Sequence, residues 1–166
     1  MKMGKYVNIG IIALIALLAV FIKSFMFIGA AVIVGALSLL HQRYTRNFFG
    51  FELCTLMTVL VSIMYGAKAG MLVGVLSITL GMIIAGNIHP TIFVSIFGFL
   101  LIGLLASFFT MESFFLAGLL LTVLYDILTV PVYLFFGSNP ATTFFYVVTH
   151  IPLNWLIFSR AAMFFG

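Results

Sequence analysis

Glu112-Ser-Phe-Phe-Leu-Ala-Gly-Leu-Leu-Leu-Thr-Val-Leu-Tyr-Asp-Ile-Leu-Thr-Val-Pro-Val-Tyr-Leu-Phe-Phe136 decides the fold. After Glu112, one charged residue, Asp126, interrupts an otherwise apolar run. A helix crosses a hydrocarbon core of about 30 Å with about 20 predominantly apolar residues, and this run supplies them. A strand of a membrane barrel would alternate apolar and polar over about 10 residues. Phe114-Phe-Leu116 and Leu119-Leu-Leu121 break any such alternation. In lipid, only helices and closed barrels satisfy every backbone polar group, so the run reads as a membrane-spanning helix.

The same texture fills the chain. Apolar runs at about 6–22, 25–40, 49–65, 68–86, 91–110, 112–136 and 141–165 are separated by short polar turns such as His41–Asn47 and Gly137-Ser-Asn-Pro140. Of the 166 residues, 65% are hydrophobic and 6% charged, where a soluble domain carries roughly 25% charged residues. The predicted fold is all-α: one integral membrane domain over residues 1–166, a polytopic transmembrane bundle of six to seven helices. Residues 6–40 make the span count ambiguous. Roughly 34 apolar residues would form about 51 Å of helix, too long for one straight span, so a turn is expected near Lys23 and Ser24. Lys2 and Lys5 before an apolar run resemble a signal peptide, but no small-x-small site follows Ile22. An uncleaved first helix is expected.

Seven Lys and Arg against three Asp and Glu leave a net charge of +4. The cations sit at the ends of apolar runs, where topology signals and anionic headgroups account for them; nucleic acid is not indicated. The clustered charges favour a cytoplasmic N-terminus in a multi-pass protein of the cell membrane. Seven spans would put the 41–47 loop on the cytoplasmic side too; a single span over 6–40 would reverse that. Cys54 is the one cysteine, so no intramolecular disulfide or multi-cysteine metal site is possible. There is no H-E-x-x-H, G-x-S-x-G or P-loop, and three acidic residues leave almost no room for paired-carboxylate hydrolysis. The chain reads as a non-enzyme with no cofactor.

Several residues look placed. Gly66, Gly70 and Gly74 form overlapping G-x-x-x-G steps, continued by Ser77 and Gly81, a spacing that lets helix backbones approach closely. Glu52, Thr55, Thr58 and Ser62 share an arc of about 120° at 100° per residue. That stripe is either a helix-start carboxylate with polar followers or the lining of a cavity. Asp126 is the sharpest signal, because a carboxylate near mid-span costs roughly 2.5–3.5 kcal/mol on insertion scales and needs a partner. Counting from the 137–140 turn, Asp126 and His150 both lie about 15 Å away in an antiparallel hairpin. Asn154 follows His150 by one turn, with Thr122 level with it and Tyr125 and Trp155 nearby. The cluster is open to three readings: a hydrogen-bonded clamp between helices, a ligand pocket, or a proton relay or metal site. One His with one Asp is too few ligands for a metal claim. Pro131 and Pro152 each remove a helix hydrogen bond, freeing the carbonyls of Ile127 and Val148 within a turn of this level.

Phe51-Glu-Leu-Cys-Thr-Leu-Met-Thr-Val-Leu60, Tyr65-Gly-Ala-Lys-Ala-Gly-Met-Leu-Val-Gly74 and Ile151-Pro-Leu-Asn154 resemble the substrate-binding S components of energy-coupling-factor transporters. The resemblance covers roughly residues 48–160. It implies a subunit that captures a vitamin or similar micronutrient as its small-molecule ligand. A transmembrane coupling subunit and cytoplasmic ATPases would be its partners beside the lipid bilayer. Gly118-Leu-Leu-Leu-Thr-Val-Leu-Tyr-Asp126 is similar, more loosely, to the small membrane proteins of the bacterial rod-shape (MreD-type) system, which implies a scaffold without a ligand.

Overall fold

The computed structural model describes residues 3–45 and 49–165, with side chains from Phe21 onward. Its helices are α1 (Met3–Ser38), α2 (Gln42–Thr45), α3 (Cys54–Tyr65), α4 (Ala67–Ala85), α5 (Ile92–Ala106), α6 (Phe114–Phe135) and α7 (Pro140–Phe165), with a 3₁₀ turn at Met111–Ser113. No strand occurs among the described residues. The six long helices form the transmembrane bundle expected from the sequence. Four stretches, Phe21–Thr45, Ala67–Ala85, Met111–Phe135 and Pro140–Phe165, are long and apolar enough to cross a membrane. Their outward faces carry exposed Leu, Ile and Phe, as a surface turned to lipid requires.

The expected turn near Lys23 and Ser24 does not occur. α1 runs unbroken for 36 residues, about 54 Å at 1.5 Å per residue. Neither residue there is a Gly or Pro, and each main-chain bond given up in an apolar medium costs several kcal/mol, so continuing the helix is the cheaper course. From Phe27 onward α1 packs on its neighbours through Ala31, Val32 and Ala36, and Leu39 just past its end is buried with them.

The third segment is shorter than its apolar run. α3 holds only 12 residues, about 18 Å, yet it contacts each of the other five long helices. The central position explains its composition. Thr55, Thr58, Val59, Val61 and Ser62 are buried almost completely. The preceding residues leave helical geometry to carry the chain across the end of the bundle, and Leu53 N–H donates to Ser38 Oγ at 2.9 Å.

The glycine stripe serves contacts inside the monomer. A Cβ on Gly70 would run into Ser62, one on Gly74 would meet Phe99 Cβ and Thr58 Oγ1 at 2.9 Å, and one on Gly81 would meet Leu39 Cδ1 at 2.5 Å. The small residues thus seat α4 against α3, α5 and α1. Gly66 departs from the expected packing role. Nothing lies within 4 Å of its missing Cβ, and its φ of 87° makes the tight α3–α4 turn that L side chains disfavour.

Candidate functional site

Three of the bundle's connections, 39–53, 86–91 and 136–140, gather at one end. The candidate site lies just inside that end, where the C-terminal parts of α1, α4 and α6 meet the N-terminal parts of α3, α5 and α7.

The antiparallel α6–α7 hairpin puts Asp126 and His150 at one level, as the residue count predicts. The His150 Nδ1 atom is 2.9 Å from Asp126 Oδ1 and 3.0 Å from Oδ2. His150 is completely enclosed and Asp126 nearly so. A third member joins them. The segment before α3 folds inward, and Glu52 Oε1 lies 3.3 Å from His150 Nε2, while Glu52 Oε2 accepts the Thr55 N–H at 2.9 Å. The imidazole therefore sits between two carboxylates. An imidazolium donates to both; a neutral ring donates to one and requires a proton on the other carboxyl. In either state every ring nitrogen is satisfied, which a buried His requires.

Two features hold this arrangement. Gly50 N–H donates to Thr149 Oγ1 at 2.8 Å. The missing Gly50 side chain lets the segment lie on α7, because a Cβ there would be 2.6 Å from the backbone N and Cα of His150. On the other side, the Tyr146 ring stacks on the His150 imidazole, with centroids 4.9 Å apart and planes at 25°. Tyr146 precedes His150 by four residues and so shares its helix face.

Beside the cluster is a cavity of about 260 Å³. Glu52 is the member of the triad that borders it, together with Tyr125, Tyr133 and Tyr146 and the apolar Leu39, Ile78, Met82 and Phe99. Hydroxyls form a chain along its wall: Ser95 Oγ to Tyr133 OH at 2.7 Å, and Tyr133 OH to Tyr125 OH at 3.3 Å. Asn87, His89 and Asn139 stand at its loop end. The site is thus an amphipathic pocket with a carboxylate, a row of phenols and an apolar back wall, the usual make-up of a small-molecule site. Among the described residues no group of three His, Cys, Asp or Glu is arranged to hold a metal ion.

The predicted residues divide. Glu52 and Tyr125 face the cavity, whereas Asp126 and His150 stand behind Glu52. Asn154 is fully buried on the His150 face, but its Nδ2 donates to its own helix at His150 O (3.1 Å). Thr122 likewise turns to its own helix, donating to Gly118 O at 2.8 Å. Trp155 is 52% exposed on the outer surface and takes no part. Beyond Glu52, the polar stripe of α3 is sealed in helix contacts; Ser62 Oγ donates to Gly103 O at 2.9 Å. Helical spacing could have found two residues absent from the sequence-based set. Tyr133 lies two turns beyond Asp126, and Tyr146 one turn before His150. α6 and α7 continue through Pro131 and Pro152.

No protein-family model matches this chain, and no curated protein or solved structure matches it.

Proposed function

We propose that this chain is the small-molecule-binding membrane subunit of an uptake system, of the kind represented by the energy-coupling-factor S components. The observation that carries the reading is the cavity. About 260 Å³ of space bounded by Glu52, three tyrosines and Ser95 is what a binding subunit needs and a scaffold does not. At about 30 Å³ per water, that is the volume of roughly nine waters, room enough for a small molecule.

The charges support a cavity open to the outside. With α1 unbroken, Lys5, Lys23, Lys68 and Arg160 fall at or toward the end of the bundle remote from the cavity, and Arg43 at the cavity end. By the positive-inside tendency, the N-terminus is cytoplasmic and the 41–47 loop is external. That is the geometry for capture from outside. The chain contains no nucleotide-binding motif, so energy would come from partners: a coupling subunit in the membrane and ATPases in the cytoplasm.

The test is a thermal-shift screen of the purified protein against vitamins, cofactor precursors and amino acids. A ligand selective for the folded state raises its stability, and one chemical series should raise the melting temperature. A complete screen without a shift would reject the binding reading in favour of a scaffold.

A further inference from the structure

We infer that the cavity selects a small cation: a protonated amine, amidine or ring nitrogen on a small apolar body. The inference rests on the binding reading above and narrows it to a ligand class.

Charge comes first. The buried cluster contains two carboxylates, Glu52 and Asp126, and one imidazole, His150. One base cannot balance two acids, so the cluster carries a net charge of −1 or takes up a proton from outside. Uncompensated charge in a buried site is costly. A cation at Glu52, the cluster's one cavity-facing member, completes the balance without that proton. Among the described residues, neither Lys nor Arg borders the cavity. An anionic ligand would therefore meet the Glu52 carboxylate with no described Lys or Arg at the wall to offset the repulsion.

The wall points the same way. Tyr125, Tyr133, Tyr146 and Phe99 are aromatic neighbours of Glu52 around one small space, and aromatic faces attract cations, most strongly when water is excluded. Gln42 of α2 also borders the cavity and brings a neutral amide to its wall. The Ser95–Tyr133–Tyr125 hydroxyl chain adds further acceptor capacity.

The experiment uses three probes on one ring, measured with the full-length protein in detergent at pH 7.5: 3-(aminomethyl)pyridine as cation, nicotinamide as neutral compound and nicotinate as anion. The cation should bind at least about tenfold more tightly than the anion, a modest fraction of the Coulomb energy between adjacent charges in a partly buried site. Glu52→Gln should remove that preference, so that cation and anion bind alike. Equal or tighter binding of nicotinate by the wild-type protein would overturn the inference, and this comparison decides even if Glu52→Gln does not purify. Stabilisation by anionic or neutral members of the wider screen alone would reject the cation and leave the binding reading standing. Silence from all three probes and from the whole screen would reject both.

Discussion

Gly50 and His150, a hundred residues apart, are in backbone contact: a Cβ on the glycine would lie 2.6 Å from the Cα of the histidine. The close approach lets the segment before α3 fold inward and deliver Glu52 to the imidazole. Gly50→Ala should therefore displace that segment and open the Glu52–His150 contact, costing about 1–3 kcal/mol as an overpacked site does. Gly29→Ala is the control, since nothing lies within 4 Å of that position. Melting curves in detergent should separate the two variants; indistinguishable curves would mean that the segment has room to shift.

Asp126→Asn should be milder than Asp126→Leu. The amide keeps an oxygen for His150 Nδ1, whereas leucine leaves a buried imidazole without its partner, at a cost of about 1–3 kcal/mol for a neutral group and more for a charged one. The check is the yield and melting temperature of each variant. A leucine variant as stable as the asparagine variant would show that the pair contributes little.

Gly70→Leu and Gly74→Leu should both be strongly destabilising, because their missing side chains are filled by Ser62 and by Phe99 with Thr58. Gly29→Leu again provides the comparison. Gly66 and Gly86 are unsuitable controls despite their open surroundings, since their φ values of 87° and 68° strain any L side chain. Equal stability of the variants at 70, 74 and 29 would contradict the packing described for α4.

Tyr44 is 86% exposed at the cavity end, while the native Cys54 is buried and should stay silent toward thiol reagents. A Tyr44→Cys variant should be labelled by an impermeant maleimide added to intact cells. Labelling only after the cells are opened would reverse the orientation and turn the cavity to the cytoplasm.

Trp155 is the one tryptophan and lies on the outer surface. Its fluorescence should be quenched by lipids brominated on the acyl chains and should be insensitive to any cavity ligand. A ligand-dependent emission change would place Trp155 closer to the site than the structure does.

Much of this architecture is legible in the sequence because it depends on local periodicity. Apolar runs mark the helices, and counting outward from Gly137-Ser-Asn-Pro140 puts Asp126 level with His150. Glu52 belongs to the same cluster but is 98 positions from His150, and no local spacing encodes that meeting. One clue was readable: an imidazole has two nitrogens, and the pairing with Asp126 occupied one. Trp155 shows the opposite error. It is next to Asn154 in sequence, but adjacent helical residues point about 100° apart, enough to send the indole outward. The continuity of α1 is hidden from a rule based on span length, because what breaks a helix is a Gly or Pro, and Lys23-Ser24 supplies neither.

The triad draws on three parts of the chain, and the imidazole is made last. Asp126 leaves the ribosome 24 residues ahead of His150, roughly 1–5 s at ordinary synthesis rates of about 5–20 residues per second. During that interval α6 must enter the bilayer carrying a lone carboxylate, an insertion cost of about 2.5–3.5 kcal/mol. The arrival of α7 is therefore the event that gives the carboxylate of α6 its imidazole partner. A chain that ends between Phe136 and Thr149 would contain all of α6 but leave Asp126 without its imidazole partner.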